Sequence, residues 1–344
     1  MEITSPNPLT DPQWDGHVEK FANGTFFHTS AWARVLTKTY GHVPSYISGS
    51  VDRKCVALLP MLEVRSPWTG RRGVCLPFTD ACSTLAIDSA TAEAVTAHAF
   101  QLARERGWKH VEFRGGIKPS PTATPSVSFL SHSLDLRDGP AVVLSRFDSA
   151  VRRAIRKAER SNLKVELLRS REAVLAYYQL HVRTRKRHGL PPQPLDFFLN
   201  IHSEVLEAGA GFIALATQGS IPVAGAVFFH FNQRAIYKFG ASDEDQLDLR
   251  GNNLVMWQAI RFLSQNGFAS MDFGRTSLNN DGLRRFKKSW GTHEGTIEYF
   301  QFETATQRWV TSRDRASGMH NAVFNRLPSS LNRLAGTIVY PHLD

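Results

Sequence analysis

The densest set of groups able to do chemistry lies in Met271-Asp272-Phe273-Gly274-Arg275-Thr276-Ser277, followed by Asp281-Gly282-Leu283-Arg284-Arg285-Phe286-Lys287-Lys288-Ser289-Trp290-Gly291. An apolar strand ends in an acid, a glycine and an arginine, and a short basic helix closed by glycine follows. Cationic donors gathered where a strand ends and a helix begins can hold a phosphate or a carboxylate, and such junctions are where ligands bind in α/β sheets. Taken singly, Asp272 is an ordinary turn former and Lys287-Lys288 are ordinary solvated lysines. Neither reading explains why so many donors collect at one junction.

A second cationic feature precedes it. A helix over Phe147 to Leu163 puts Phe147, Val151, Ala154, Ile155 and Ala158 on one face and Arg152, Arg156, Arg160 and Lys164 on another, flanked by Arg153 and Lys157. Like charges four residues apart repel by a few tenths of a kcal/mol per pair, and only Glu159 offsets them. Arg183, Arg185, Lys186, Arg187 and His188 form another basic run on the next expected helix. Two such runs can bind phosphate or acidic phospholipid, against the simpler reading of two solvated faces.

Other chemistries find no residues. There is no Ser-His-Asp order, glycosidase carboxylate pair, Walker loop or His-Glu-x-x-His string, and the 13 histidines show no ligand spacing. His28, His110, His230 and His293 read as structural. Cys55, Cys75 and Cys82 have neither the paired spacing of a zinc site nor the even count of a disulfide framework, so they read as reduced thiols, and no metal is expected.

The elements that must position these groups show an internal echo. Leu102-Ala103-Arg104-Glu105-Arg106-Gly107-Trp108-Lys109-His110-Val111-Glu112-Phe113 recurs 160 positions later as Phe262-Leu263-Ser264-Gln265-Asn266-Gly267-Phe268-Ala269-Ser270-Met271-Asp272-Phe273. Both copies read helix, glycine stop, aromatic, strand, acid, Phe. Expected strands lie ahead of each: Ser45 to Ser50, Cys55 to Val64 and Val74 to Phe78, then Gly211 to Thr217, Val223 to Phe231 and Arg234 to Gly240. Each half therefore reads as helices, a three-stranded antiparallel meander, a long helix and a further strand, an α+β pattern. The boundary is expected near 138 to 145, where Asp138-Gly139-Pro140 precedes Ser145-Arg146-Phe147-Asp148, read as a capping box. Domains of 1–140 and 146–303 follow, with a tail at 304–344, carrying Val323, Phe324, Leu327, Leu331 and Leu334, that packs back on the first.

With 344 residues, 42% of them hydrophobic, the chain is long enough for two cores. Lys and Arg outnumber Asp and Glu by 41 to 31, a formal charge of +10, which favours anionic partners. No apolar stretch reaches the ~18–20 residues of a spanning helix. The first thirty residues, with Glu2, Asp11 and Asp15, do not read as a signal peptide, so a cytoplasmic protein is expected.

The sequence around Asp272-Phe273-Gly274-Arg275, with Gly282-Leu283, Phe286-Lys287 and Trp290-Gly291, preceded by Ile155-Arg156-Lys157-Ala158, resembles the Fem-type transferases of the GNAT acyltransferase superfamily. It is most similar to the Fem-like acetyltransferase group encoded near exopolysaccharide and protein-sorting loci. The resemblance runs from Phe27-His28-Thr29-Ser30-Ala31-Trp32 to Gly291 and is stronger in the second half. It implies two tandem GNAT-like domains, each a mixed sheet flanked by helices, with the chain's end returning to the first.

It also implies N-acyl transfer to an amine of a peptidoglycan or exopolysaccharide precursor, with acyl-CoA or aminoacyl-tRNA as donor substrate and no permanently bound cofactor. Lys287 matches the family's Phe-Lys motif, where a cation stabilises charge that develops during transfer. Asp272 would fix Arg275 or accept a proton, and Arg275 would hold an acceptor phosphate or carboxylate. Arg156, Arg160, Arg34, Arg114, Tyr237, Lys238, Ser277 and Phe286 are the substrate-binding candidates. Two departures stand out. Arg275 to Asn280 lacks the glycine loop of CoA-binding members, and Arg34 alone could replace the phosphate-binding lysine expected after Trp32. The partners implied are an anionic or lipid-linked precursor, tRNA and a peripheral membrane contact, with no obligate protein partner. The reading from a different class is a non-catalytic nucleic-acid or membrane-surface binder that uses the cationic helices.

Overall fold

The computed structural model describes residues 1–312, 324–325 and 327–343. In chain order its elements are β1 (Glu2–Thr4), α1 (Trp14–Glu19), α2 (Ser30–Tyr40), β2 (Val43–Pro44), β3 (Ile47–Val51), β4 (Lys54–Leu59), β5 (Leu62–Ser66), β6 (Gly70–Val74), β7 (Leu85–Ala86), α3 (Ser89–Arg106), β8 (His110–Arg114) and β9 (Val127–Asp135). There follow α4 (Gly139–Ser145), α5 (Ser149–Glu159), β10 (Lys164–Leu168), α6 (Arg171–Arg187), α7 (Leu195–Ile201), β11 (Gly211–Gln218), β12 (Ile221–Phe231) and β13 (Arg234–Ser242). The last are α8 (Gly251–Gln265), β14 (Ser270–Asp272), β15 (Thr276–Ser277), α9 (Asp281–Lys288), β16 (His293–Glu303), β17 (Arg308–Val310) and α10 (Ser329–Val339). The chain is α+β and forms two units. Unit 1 takes Met1–Phe129 with the described parts of Thr296–Arg315 and Ile338–Asp344; unit 2 takes Leu130–Gly295 with the described part of Ala316–Thr337. Of the tail residues named from sequence, Val323 lies outside the described residues, while Leu331 and Leu334 fall on α10.

Unit 2 carries the strand order β10-β11-β12-β13-β14-β9. All pairs are antiparallel except β13 with β14, which run parallel with Ile236 opposite Asp272. A parallel pair needs a crossover, and α8 supplies it. Its core joins Val151 and Ile155 of α5, Leu254, Val255 and Ile260 of α8, Phe212 and Phe228 of the sheet, and Trp290. On α5, Val151, Ile155 and Ala158 sit three and four apart and are buried, while Arg153, Arg156, Lys157 and Arg160 at and beyond its end are exposed. The helix is shorter than the sequence pattern suggested. Asn162 takes a left-handed φ of 53° and ends the run, and Asp148, with Ser145 uninvolved, occupies the N-cap without a side-chain bond.

Unit 1 repeats the plan. In the order β16-β8-β6-β5-β2, β6 and β8 are the parallel pair and α3 is the crossover. A second, antiparallel sheet runs β1-β3-β4-β7. The expected strand Cys55 to Val64 is two strands, β4 and β5, which join different sheets on either side of Pro60. Proline has no N–H for a ladder and so marks the break.

The echo survives in the hydrogen bonds. Gly107 and Gly267 take φ of 65° and 76°, and behind them Trp108 donates to the Ala103 carbonyl and Phe268 to that of Leu263, the same six-to-one closure. Each unit also finishes its sheet with a strand from elsewhere in the chain: β9, which follows β8, pairs with β14, and β16, which follows α9, pairs with β8.

Candidate active site

The site grows from the end of β14. The Asp272 carboxylate accepts the Gly274 N–H at 2.6 Å, and Gly274 adopts φ 72°, so the chain reverses immediately after the strand. This is the turn that Asp favours through its own side chain, and the left-handed residue is glycine because a Cβ would strain it. Phe273 N–H donates to the His132 carbonyl on β9 and ties the turn to the sheet.

α9 then delivers Lys287 to the turn. Asn280 caps this helix by accepting the Leu283 N–H at 3.0 Å. The Lys287 ammonium, 3% exposed, donates to the Gly274 carbonyl at 2.7 Å and to the Arg275 carbonyl at 2.9 Å. A buried ammonium persists only when oxygen atoms surround it. Lys288, one position on, is exposed. Asp272, Arg275 and Lys287 therefore meet on one turn.

Tyr237 and Phe286 also converge, as walls of a cavity of about 160 Å3 lined further by Thr184, Arg187, Gly240 and Asn252. Burial pushes the Tyr237 phenol up to about 12, so it stays protonated and can donate at neutral pH. Its ring meets Phe273 edge to face at 6.0 Å. Lys238 sits at a β-bulge, where Val227 faces Phe239 and Phe228 faces Tyr237. A bulge turns a side chain out of the regular alternation, and the Lys238 ammonium sits 5.5 Å from the Phe239 ring. Ser277, in β15, is half-buried.

Phe286 reaches a second, open cleft of about 700 Å3. Among the described residues its cations are Arg153 and Lys157 from α5, Arg250 just ahead of α8 and Arg285 from α9, with Asp148 the single acid. Arg156 and Arg160 are exposed on and just past the same helix and are not among the lining residues. Arg34 and Arg114 belong to unit 1. Arg34 is half-buried on α2. Arg114 is 3% exposed and bonds Glu112 at 2.7 Å and the Leu76 and Thr79 carbonyls, with its guanidinium over the Tyr299 ring, a set of contacts that builds structure.

One constellation went unseen in the sequence. His132, fully buried on β9, stands with Nε2 3.3 Å from the Glu294 carboxylate, which Arg284 grips through two bonds of 2.7 Å. Arg284 pulls the Glu294 carboxyl down to about 2. Burial lowers His132, the Lys287 charge lowers it further, and Glu294 only partly restores it, so the ring is neutral at pH 7. His132 and Glu294 are far apart in sequence, and no local pattern links them. Arg250, alone ahead of α8 and outside both basic runs, carries no local signal in the sequence either.

Residues 145–288 match the family model described as an acetyltransferase (GNAT) domain. Over 79 residues the chain is 32% identical to a lipid II:glycine glycyltransferase of Staphylococcus haemolyticus, a segment covering 21% of this chain and 19% of that relative. The match thus spans about a fifth of the relative's length. The solved structure of FemX is similar at a TM-score of 0.67 and 16% identity, covering 87% of this chain and 97% of FemX. A tandem GNAT protein from the clavulanic acid biosynthesis pathway is similar at 0.54 and 10% identity, covering 88% of this chain and 99% of its own. The resemblance to Fem-type, GNAT-superfamily transferases is borne out, and the fold is the tandem GNAT-like arrangement that it implied.

Proposed function

We propose that the chain is an N-acyltransferase that moves an aminoacyl or acyl group onto an amine of a lipid-linked cell-envelope precursor by direct attack. The observation that carries this reading is the Lys287 ammonium held at the Gly274 turn, within the segment that matches an acyltransferase domain. The glycyltransferase relative, whose name specifies lipid II, supports an aminoacyl group and a lipid-linked acceptor.

In the reaction the amine nitrogen forms a bond to the acyl carbon, negative charge builds on the acyl oxygen, and the C–O bond of an ester donor breaks as the ammonium proton passes to the departing oxygen. The donor carries phosphates whether it is a charged tRNA or an acyl-CoA, and the cleft between Arg153, Lys157, Arg250 and Arg285 suits them. Four cations along an open groove, with the exposed Phe286 ring for stacking, favour the longer polyanion, aminoacyl-tRNA. Lys287 acts by its charge, which stabilises the developing oxyanion, and a preorganised cation of this kind contributes ~3–4 kcal/mol. Asp272 acts through the turn that it holds.

The test is intact-mass analysis of a purified precursor incubated with the protein and either charged tRNA or a set of acyl-CoAs. A mass gain of one acyl group with one donor class is expected. No gain with either class overturns the reading, and steeply salt-dependent RNA binding without product would favour a non-catalytic binder.

A further inference from the structure

Helix α10 is amphipathic the wrong way round. Its buried residues are Asn332 and Gly336, four apart on one face. Asn332 Nδ2 donates to the Leu190 carbonyl at 3.3 Å, and a Cβ on Gly336 would lie 2.0 Å from the Pro192 carbonyl oxygen, so the helix rests on the 190–192 loop through a polar side chain and a bare backbone. Facing outward, at positions three and four apart, are Leu331, Leu334 and Ile338, exposed by 50, 55 and 50%. A helix that only covered the protein would bury its leucines and expose its asparagine. An apolar ridge that the fold itself does not use marks a contact with something else.

The surrounding charge indicates what that is. Arg333 lies exposed beside the ridge, and Arg185 donates to the Pro191 carbonyl in the loop beneath it. From residue 308 to the end the sequence has five arginines, two aspartates and neither Lys nor Glu. Asp243, Glu244 and Asp245 face Arg183, Lys186 and Arg187 near Ser329, three acids against three cations, so that patch adds no net charge, and Arg333 is the one charged side chain on α10. Among the described residues no helix is long and apolar enough to cross a membrane. An apolar ridge beside an exposed arginine, in a tail whose sequence is net positive, is instead the pattern of a helix that lies in the plane of an anionic bilayer surface, with leucines at the acyl boundary and the arginine at the headgroups.

We infer that α10 docks the protein on an anionic lipid surface, through Leu331, Leu334 and Ile338. This rests on the transferase reading only in giving the docking a purpose, since a lipid-linked acceptor is presented at such a surface. The experiment is co-sedimentation of the full chain with phosphatidylcholine vesicles and with mixed phosphatidylcholine and phosphatidylglycerol vesicles, for wild type and for a Leu331→Ser, Leu334→Ser double variant, with light scattering for molecular mass and a thermal melt for each protein. Wild type should sediment with the mixed vesicles and not with phosphatidylcholine alone. The double variant should lose at least about tenfold in partitioning, a lower bound for two leucines removed from an interface, with its melting temperature unchanged. Three results overturn the inference: no wild-type sedimentation, equal sedimentation of the variant, or a wild-type dimer that the variant converts to monomer, which would make the ridge a self-association face. The vesicles contain neither donor nor acceptor, so absent transfer with intact docking counts against the transferase reading alone, and the reverse counts against the docking alone.

Discussion

The Lys287 ammonium donates to the Gly274 carbonyl at 2.7 Å, joining the last turn of α9 to the reversal that ends β14. One side chain therefore both fixes the turn and brings positive charge to it, and substitution should reveal the two roles separately.

Lys287→Ala should slow the chemical step by ~10²–10³, measured in single turnover below the melting temperatures of both proteins. It should also lower stability by about 1–3 kcal/mol, because one buried and one half-buried carbonyl lose their donor. The exposed Lys288→Ala should change neither by much. Equal effects of the two substitutions on the rate would show that the charge is not used in transfer.

Neutralising Arg153 together with Lys157 should weaken donor binding and flatten its salt dependence by about two counterions, as expected when two phosphate contacts are lost. Neutralising Arg156 with Arg160, exposed along the same chain segment but outside the cleft lining, should cost less. Titration of each double variant with labelled charged tRNA at several salt concentrations makes the comparison. A larger loss from Arg156 and Arg160 would move the donor site off this cleft.

Stability should fall as pH drops from about 6.5 towards 4. Burial holds His28 down to about 4, against its bonds to Ser83 and Thr25, and burial together with the Arg185 charge holds His181 down to about 3. Both folded values lie below that of the unfolded chain, so below pH 6.5 the unfolded state takes up protons that the folded state refuses. The loss is roughly 3 kcal/mol for each ring by pH 4. Glu294, held low by Arg284, adds to the loss only below the ordinary carboxylate range. Denaturant unfolding between about pH 8 and pH 4, in wild type and in His181→Asn, should show a shallower acid limb for the variant.

Gly73→Ala should destabilise unit 1. A Cβ at this position in β6 would lie 2.1 Å from the ring of Trp108, itself 1% exposed and without room to move. Overpacking of this kind costs about 1–3 kcal/mol, readable by thermal melting. A neutral result would mean that the Trp108 ring can shift within its pocket.

Much of this architecture is legible in the residues. The second-half strands differ from β11, β12 and β13 by a residue or two, because alternation is clean there and Gly219 and the Asn232-Gln233 pair, all with positive φ, mark the hairpins. The Gly107 and Gly267 stops are equally plain. What stayed hidden depends on partners distant in the chain. The apolar run through Val56 to Val64 conceals the change of sheet at Pro60, since both strands are buried. The Lys238 bulge follows from the facing strand and not from its own neighbours. His132 on β9 finds Glu294, 162 positions later at the start of β16, only in the folded protein.

The way β9 and β16 complete the two sheets sets a rule for dissection. The repeat suggests that cutting between its copies, near residue 140, would release two independent proteins. A fragment ending there keeps β9, which pairs with β14, but lacks β16, the partner of β8; the remaining fragment has the opposite deficiency. Each would carry one unpaired strand and one raw sheet edge, a poor species alone and a good mate for the other. Co-expressed, the fragments should reassemble as a split protein.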